Sequence, residues 1–161
     1  PSYHNMTWLQ LYNCKNCCML PPLGQLPILK KLDIIGLERV ISIGDEFLKG
    51  DDYTCMIPFP CLEYLEFSYM ASWEEWHYSL VMEVFPKLRK LIIFNCPKLV
   101  GNLPHQLLSL ESLEICRCPL FASCTLRCPK LQNLETEQSE KVVWQEQELP
   151  PSLCKLVISG T

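Results

Sequence analysis

Eleven cysteines, three histidines and a few clustered carboxylates are the residues of this 161-residue chain that could do chemistry. Cys14-x-x-Cys17, Cys116-x-Cys118 and Cys124-x3-Cys128 have the close spacing that tetrahedral zinc–thiolate sites use. No two CxxC pairs stand at finger spacing, so these thiols do not read as a metal centre. His4, His77 and His105 are isolated, no GxSxG elbow is present, and no nucleophile is set beside a base. Glu74 and Glu75 are adjacent, so their side chains diverge and cannot flank one bond. A GxxxxGK[ST] loop to cradle phosphates is missing. The expectation is a chain that is not an enzyme, with no catalytic, metal or cofactor site of its own.

Composition narrows the partners. The formal charge is −4, with 14 Lys+Arg against 18 Asp+Glu and no basic block, which argues against a nucleic-acid grip built on phosphate neutralisation. No apolar run approaches the roughly 20 residues of a membrane helix, so no membrane insertion is expected. An odd number of cysteines cannot pair completely, and a chain this large does not depend on disulfides for its core. Reduced thiols acting as small apolar side chains, in a reducing compartment, are the simpler expectation. The chain opens at Pro1 with neither an initiator Met nor a signal peptide, and it reads as a fragment of a larger protein.

The positioning elements come from a repeat. Leu29, Leu32, Ile34 and Leu37 define offsets 0, 3, 5 and 8. The same offsets return as Leu62, Leu65, Phe67, Met70; as Leu88, Leu91, Ile93, Cys96; and as Leu110, Leu113, Ile115, Cys118. Upstream they occur as Met6, Leu9, Leu11, Cys14, and downstream as Leu131, Leu134, Thr136, Ser139 and Leu153, Leu156, Ile158, Thr161. Offset 11 adds Cys17, Val40, Trp73, Leu99, Phe121 and Val142. Anchor spacings are 23, 33, 26, 22, 21 and 22 residues. Offsets 3 and 5 alternate with their neighbours, the mark of a short strand with one buried face. A unit of this size cannot bury its own apolar face, whereas stacked copies make one continuous core. Pro27, Pro60, Pro86, Pro129 and Pro151 stand two residues before an anchor, where a fixed φ suits the corner before a strand. The predicted fold is an α/β leucine-rich-repeat solenoid: a right-handed curved coil of about seven repeats over 1–161. Its parallel strands line the concave face, and mostly irregular or short helical segments lie opposite. The repeat also accounts for several cysteines, since Cys14, Cys96 and Cys118 fall at offset 8 and Cys17 at offset 11, all expected in the core.

These residues carry a family resemblance. Leu20-Pro21-Pro22-Leu23-Gly24-Gln25-Leu26-Pro27 with Leu29-Lys30-Lys31-Leu32 resembles the repeat region of plant coiled-coil nucleotide-binding leucine-rich-repeat (NB-LRR) disease-resistance proteins. Val40 through Ile43-Gly44-Asp45-Glu46-Phe47 and Phe59-Pro60-Cys61-Leu62-Glu63-Tyr64-Leu65-Glu66-Phe67 running into Trp73-Glu74-Glu75-Trp76 are similar to the same proteins. Asn95-Cys96-Pro97-Lys98-Leu99 is a further turn of that kind. The resemblance implies an intracellular immune receptor, cytoplasmic and in some settings nuclear or peripheral to the plasma membrane. It implies that the repeats recognise a pathogen effector or a guarded host protein and contact the receptor's own nucleotide-binding switch domain. It places ATP/ADP in an upstream domain of the parent, not in this chain. The alternative is an extracellular leucine-rich-repeat ectodomain of a plant receptor kinase or receptor-like protein. Asn5-Met6-Thr7 fits the glycosylation rule, and Leu99-Val100-Gly101-Asn102-Leu103-Pro104 is similar to a turn of such receptors.

Departures from the repeat predict irregularity. Residues 44–58, with Asp51-Asp52, read as a loop insertion off the coil. Thr136 and Ser139 replace apolar or Cys residues, so the sixth copy is expected to be irregular or loosely packed. Trp73, at offset 11, is expected in the core and Trp76 on the outer side. Side chains at offsets 2, 4 and 6 should point outward from the strands. In the first four copies they include Trp8, Tyr12, Lys31, Ile35, Tyr64, Lys90, Ile92 and Phe94, an aromatic and apolar set with interspersed lysines. The last three carry Glu114, Glu135 and Glu137. Aromatics beside charges have the composition of a protein-contact centre with its rim.

Overall fold

A computed structural model describes residues 3–50, 57–78, 83–104, 106–122, 127–142 and 149–160. In chain order its strands are β1 (Trp8–Tyr12), β2 (Lys31–Ile35), β3 (Ser42–Ile43), β4 (Tyr64–Ser68), β5 (Glu75–Trp76), β6 (Lys90–Phe94), β7 (Ser112–Cys116), β8 (Asn133–Glu137) and β9 (Lys155–Ser159). All strands except β3 and β5 begin at offset 2 and end at offset 6 of their copy, and they pair in parallel in the order β1-β2-β4-β6-β7-β8-β9. The register puts Leu9, Leu32, Leu65, Leu91, Leu113, Leu134 and Leu156 in one column. Leu11, Ile34, Phe67, Ile93, Ile115, Thr136 and Ile158 form the next. Parallel pairing requires a long crossover, and each repeat supplies one, so neighbouring strands belong to successive coils. The leucine-rich-repeat solenoid expected from the spacing is the fold found.

Six of the seven long strands, all but β9, end at a corner that the leucine pattern did not reveal. At offset 7, Asn13, Gly36, Tyr69, Asn95, Arg117 and Gln138 all take positive φ, between 48° and 70°. Their N–H groups donate to the last strand carbonyl of the next coil: Ile35, Ser68, Phe94, Cys116, Glu137 and Ser159, at 2.7–2.9 Å. The left-handed turn thus closes each coil while extending the hydrogen-bond ladder by one rung. Offset 8 then tucks under the corner. Cys96 Sγ lies 3.9 Å from the Phe67 carbonyl, Cys118 Sγ 3.8 Å from that of Ile93, and Ser139 Oγ 3.2 Å from that of Ile115. Each reaches back one coil. The prolines fall as expected in two-residue turns before the strands, and Leu62, Leu88, Leu131 and Leu153 donate N–H bonds to carbonyls three residues back.

The side opposite the sheet carries further regular structure. β3 and β5 pair in parallel, Ser42 with Glu75 and Ile43 with Trp76, giving a second small sheet that the spacing did not predict. This pairing turns Trp76 inward, 5.2 Å from the Phe67 ring centroid and only 6% exposed, correcting its expected outer position. Trp73 is fully buried as expected, and its Nε1 donates to the Glu75 carbonyl at 2.8 Å. Of segment 44–58, Asp45–Leu48 forms helix α1, which buries Phe47 and Leu48 in the core, and residues 51–56 lie outside the described set. Phe47 and Phe59 meet at 4.9 Å, and Phe59 stacks on Phe85 at 5.1 Å. Gly24, in the 3-10 turn Leu23–Gln25, lies so close to α1 that a Cβ there would come within 2.0 Å of the Leu48 carbonyl oxygen.

Two further expectations need correction. The sixth copy is regular through residue 142: β8 is a full strand, Thr136 and Ser139 are buried, and Ser139 Oγ accepts the Cys118 N–H at 3.1 Å. A hydroxyl that satisfies backbone groups fits where an unpaired one would not. Cys14 is exposed and Cys17 half-buried rather than core, because β1 is an edge strand with only β2 beside it. Cys96 and Cys118 are buried as expected. Among the described residues no helix is long and apolar enough to cross a membrane.

Candidate protein-contact face

The open face of the seven-stranded sheet carries three columns of side chains, at offsets 2, 4 and 6. At a strand spacing of about 4.8 Å the columns run for about 30 Å, the scale of a protein interface. The pairing register sets their order. Trp8, Lys31, Tyr64, Lys90, Ser112, Asn133 and Lys155 form the first column. Gln10, Asp33, Glu66, Ile92, Glu114, Glu135 and Val157 form the second, and Tyr12, Ile35, Ser68, Phe94, Cys116, Glu137 and Ser159 the third.

The eight residues expected at a contact site all lie on this face, in unequal states. Trp8 and Tyr12 are the most exposed, at 59% and 62%. Lys31 is exposed, while Ile35, Tyr64, Lys90, Ile92 and Phe94 are half-buried. Not every outward position reaches solvent: Asp33, Ser68 and Cys116 are buried beneath their neighbours. Asp33 is covered because it accepts from Trp8 Nε1 at 2.8 Å and lies 3.7 Å from Lys31 Nζ. Lys31 Nζ also stands 5.3 Å from the Trp8 ring centroid and 4.8 Å from that of Tyr64. Trp8, Lys31, Asp33 and Tyr64 are therefore one cluster across three strands, its cation shared between two aromatic faces and a carboxylate.

Polar order continues along the face. Tyr64 donates its hydroxyl to Glu66 at 2.7 Å, and Ser68 donates to the other Glu66 oxygen at 2.5 Å. Burial, then the Glu66 bond and charge, push the Tyr64 hydroxyl well above the usual phenol range, so it remains a donor. Lys90 pairs with Glu114 at 2.9 Å and Lys155 with Glu135 at 3.7 Å. A hollow of about 210 Å³ lies between them, lined by Ser112, Asn133 and these charged groups. Cys116 sits under Glu135 and Glu137, and burial pushes its thiol up to about 11, with the neighbouring carboxylates adding to the effect.

Two residues bordering this face escaped the alternation. Tyr69 meets the Phe94 ring edge-on at 5.4 Å, and the Arg117 guanidinium lies 5.3 Å from the same ring. Both occupy offset 7, whose left-handed turn swings the side chain beside the third column. The available signal was Asn13, Gly36 and Asn95 at that offset, the residue types that tolerate positive φ.

Seven in-register strands, a left-handed corner after the first six and a ladder of leucines beneath define a leucine-rich-repeat array presenting an open sheet face. A family model described as R13L1/DRL21 leucine-rich repeats matches residues 1–37. The chain is 42% identical over 126 residues to a disease resistance RPP13-like protein 1 of Arabidopsis thaliana, covering 75% of this chain and 12% of that protein. It is 38% identical over 122 residues to a second Arabidopsis thaliana disease resistance protein, covering 75% and 9%. To disease resistance protein RGA2 of Solanum bulbocastanum it is 32% identical over 116 residues, covering 70% and 12%. Over 70–75% of its length the chain matches the leucine-rich-repeat region of plant disease-resistance proteins, and it spans about a tenth of the length of these relatives. No solved structure matches it.

Proposed function

We propose that this chain is the protein-recognition and autoregulatory module of an intracellular plant immune receptor, reading a pathogen effector or a guarded host protein and touching the receptor's own nucleotide-binding switch domain. The observation that carries the reading is the in-register set Trp8, Tyr12, Ile35, Tyr64, Ile92 and Phe94 on one sheet face, bordered by Lys31, Lys90 and the acidic side chains of β7 and β8. Large aromatic anchors within a charged rim are what interface centres are built from. The similarity to disease-resistance proteins supplies the biological setting. Buried thiols at Cys96, Cys118 and Cys128, packed as core side chains, support a reducing compartment and hence a cytoplasmic location.

Tyr64→Ala and Phe94→Ala in the full-length parent test this. Truncating a desolvated aromatic anchor commonly costs about 2 kcal/mol or more of binding. Each variant should either abolish pathogen-triggered cell death, through a lost ligand contact, or release it without a trigger, through a lost inhibitory contact. Variants that accumulate normally and respond like wild type remove the face from the mechanism.

A further inference from the structure

The charges of the open face are not equally compensated. Asp33, Glu114 and Glu135 each have a lysine partner, at 3.7, 2.9 and 3.7 Å. Glu66 has none among the ion pairs of the described residues. It is nevertheless the best-oriented carboxylate of the face, because Tyr64 and Ser68 each donate a hydroxyl to a different one of its oxygens. Glu137 also lacks an ion pair among these residues, but no described hydroxyl orients it.

The surroundings of Glu66 set the chemistry of its complement. The register places Asp33 and Ile92 on either side of it in the second column, with Ile35 and Phe94 flanking Ser68 in the third. The nearest lysines on the face are engaged elsewhere, Lys31 with Asp33 and two rings, Lys90 with Glu114. A carboxylate has about four acceptor sites, and one on each oxygen is already used. At least one acceptor site on each oxygen remains, and that pair fits the two parallel N–H donors of a guanidinium. A lysine ammonium makes one point contact there and cannot span both oxygens. The rings beside Glu66 already draw cations, with Lys31 Nζ 4.8 Å from the Tyr64 centroid and the Arg117 guanidinium 5.3 Å from that of Phe94.

We propose that Glu66 is the seat of an arginine presented by the protein partner of this face, with apolar partner residues on Ile35, Ile92 and Phe94. This rests on the reading of the face as a protein-contact surface and names the chemistry of its occupant. The two donating hydroxyls hold the carboxylate ready, so little ordering is needed when the guanidinium arrives.

The test uses the 161-residue chain as bait for a displayed random peptide library, followed by binding titrations with the selected synthetic peptides. The expected peptides carry an arginine beside apolar residues. Their affinity should fall at least about tenfold on Glu66→Gln, as for a desolvated charge pair losing one partner. Replacing the peptide arginine with citrulline should cost as much without altering the chain, and replacement with lysine should recover only part. Glu111→Gln, which breaks an exposed pair with Arg89 at 3.0 Å, should leave affinity unchanged. Failure to recover binders, binders without a basic residue, or equal affinity for wild type and Glu66→Gln each overturn the proposal. Binders lost on Phe94→Ala but indifferent to Glu66→Gln and citrulline overturn the arginine seat while leaving the contact face standing. Binders indifferent to both substitutions overturn both.

Discussion

Ser139 shows at the residue scale how a polar side chain can serve a core position. Its hydroxyl accepts the buried Cys118 N–H at 3.1 Å and lies 3.2 Å from the Ile115 carbonyl and 3.1 Å from that of Glu137. Ser139→Ala leaves the Cys118 amide unsatisfied and should lower stability by about 1–3 kcal/mol, measured by urea unfolding. Ser139→Cys should restore most of it, since Cys96 and Cys118 hold the same offset. If the alanine and cysteine variants are equally stable, the hydroxyl rung is not a support. The buried thiols also set a pH response. Burial pushes Cys128 up to about 12 and Cys116 up to about 11, against about 8.5 for a free thiol. Above pH 8.5 the unfolded chain therefore loses these protons before the folded one, and stability falls as pH rises. Urea midpoints in reducing buffer should decline from about pH 8.5 toward 11 as these two thiols ionise in the unfolded chain. Cys116→Ser with Cys128→Ala should flatten that decline. The inward cysteines and serine were legible in the sequence as positions, because their offset repeats. Their cross-coil partners were not, because the Phe67, Ile93 and Ile115 carbonyls and the Cys118 N–H come near only through the stacked register.

The repeating element is a strand plus its left-handed corner, and only the strand announces itself by hydrophobicity. Alternation at offsets 3 and 5 predicted all seven long strands, because one buried face imposes period two. Offset 7 holds Asn, Gly, Tyr, Asn, Arg and Gln in successive copies, so no single residue type marks it. The conformation is instead enforced by the N–H bond that each corner donates to the next coil. Side chains other than Gly and Asn pay roughly 1–2 kcal/mol in this region. Gln138→Asn, at φ 48°, should therefore stabilise the chain by several tenths to about 1 kcal/mol, read as a rise in urea midpoint. Gly36→Val should destabilise it, since φ is +70° and a Cβ would stand 2.2 Å from Asn13 Oδ1. An unchanged midpoint for Gly36→Val would show that the corner relaxes without cost. β3 and β5 were illegible for a different reason: two-residue strands are too short to show a period, and only their pairing across coils makes them strands.

For the whole molecule, stability is a property of neighbours. Each strand pairs only with the one before and the one after, so the array behaves as a chain of coil-to-coil interfaces. Burial of the leucine column follows that arrangement. Leu32, Leu65, Leu91 and Leu113 are fully enclosed, whereas Leu156 is 43% exposed and Ile158, two residues on, is 63% exposed in β9, the edge strand opposite β1. The same offset thus carries very different energy at different heights in the stack. Repeat arithmetic could name the column but not its gradient, since it treats every copy as equivalent. In this 161-residue chain, Leu113→Asp puts an unpaired carboxylate into the shared core between two coils and should abolish cooperative folding. Leu156→Asp leaves its carboxylate partly in water, so it should lower the urea midpoint only modestly. Hydrogen exchange should report the same order, with amides of β9 exchanging well before those of β6 and β7. Equal damage from the two substitutions, or uniform protection across the sheet, would mean that the array unfolds as a single block rather than from its exposed edge.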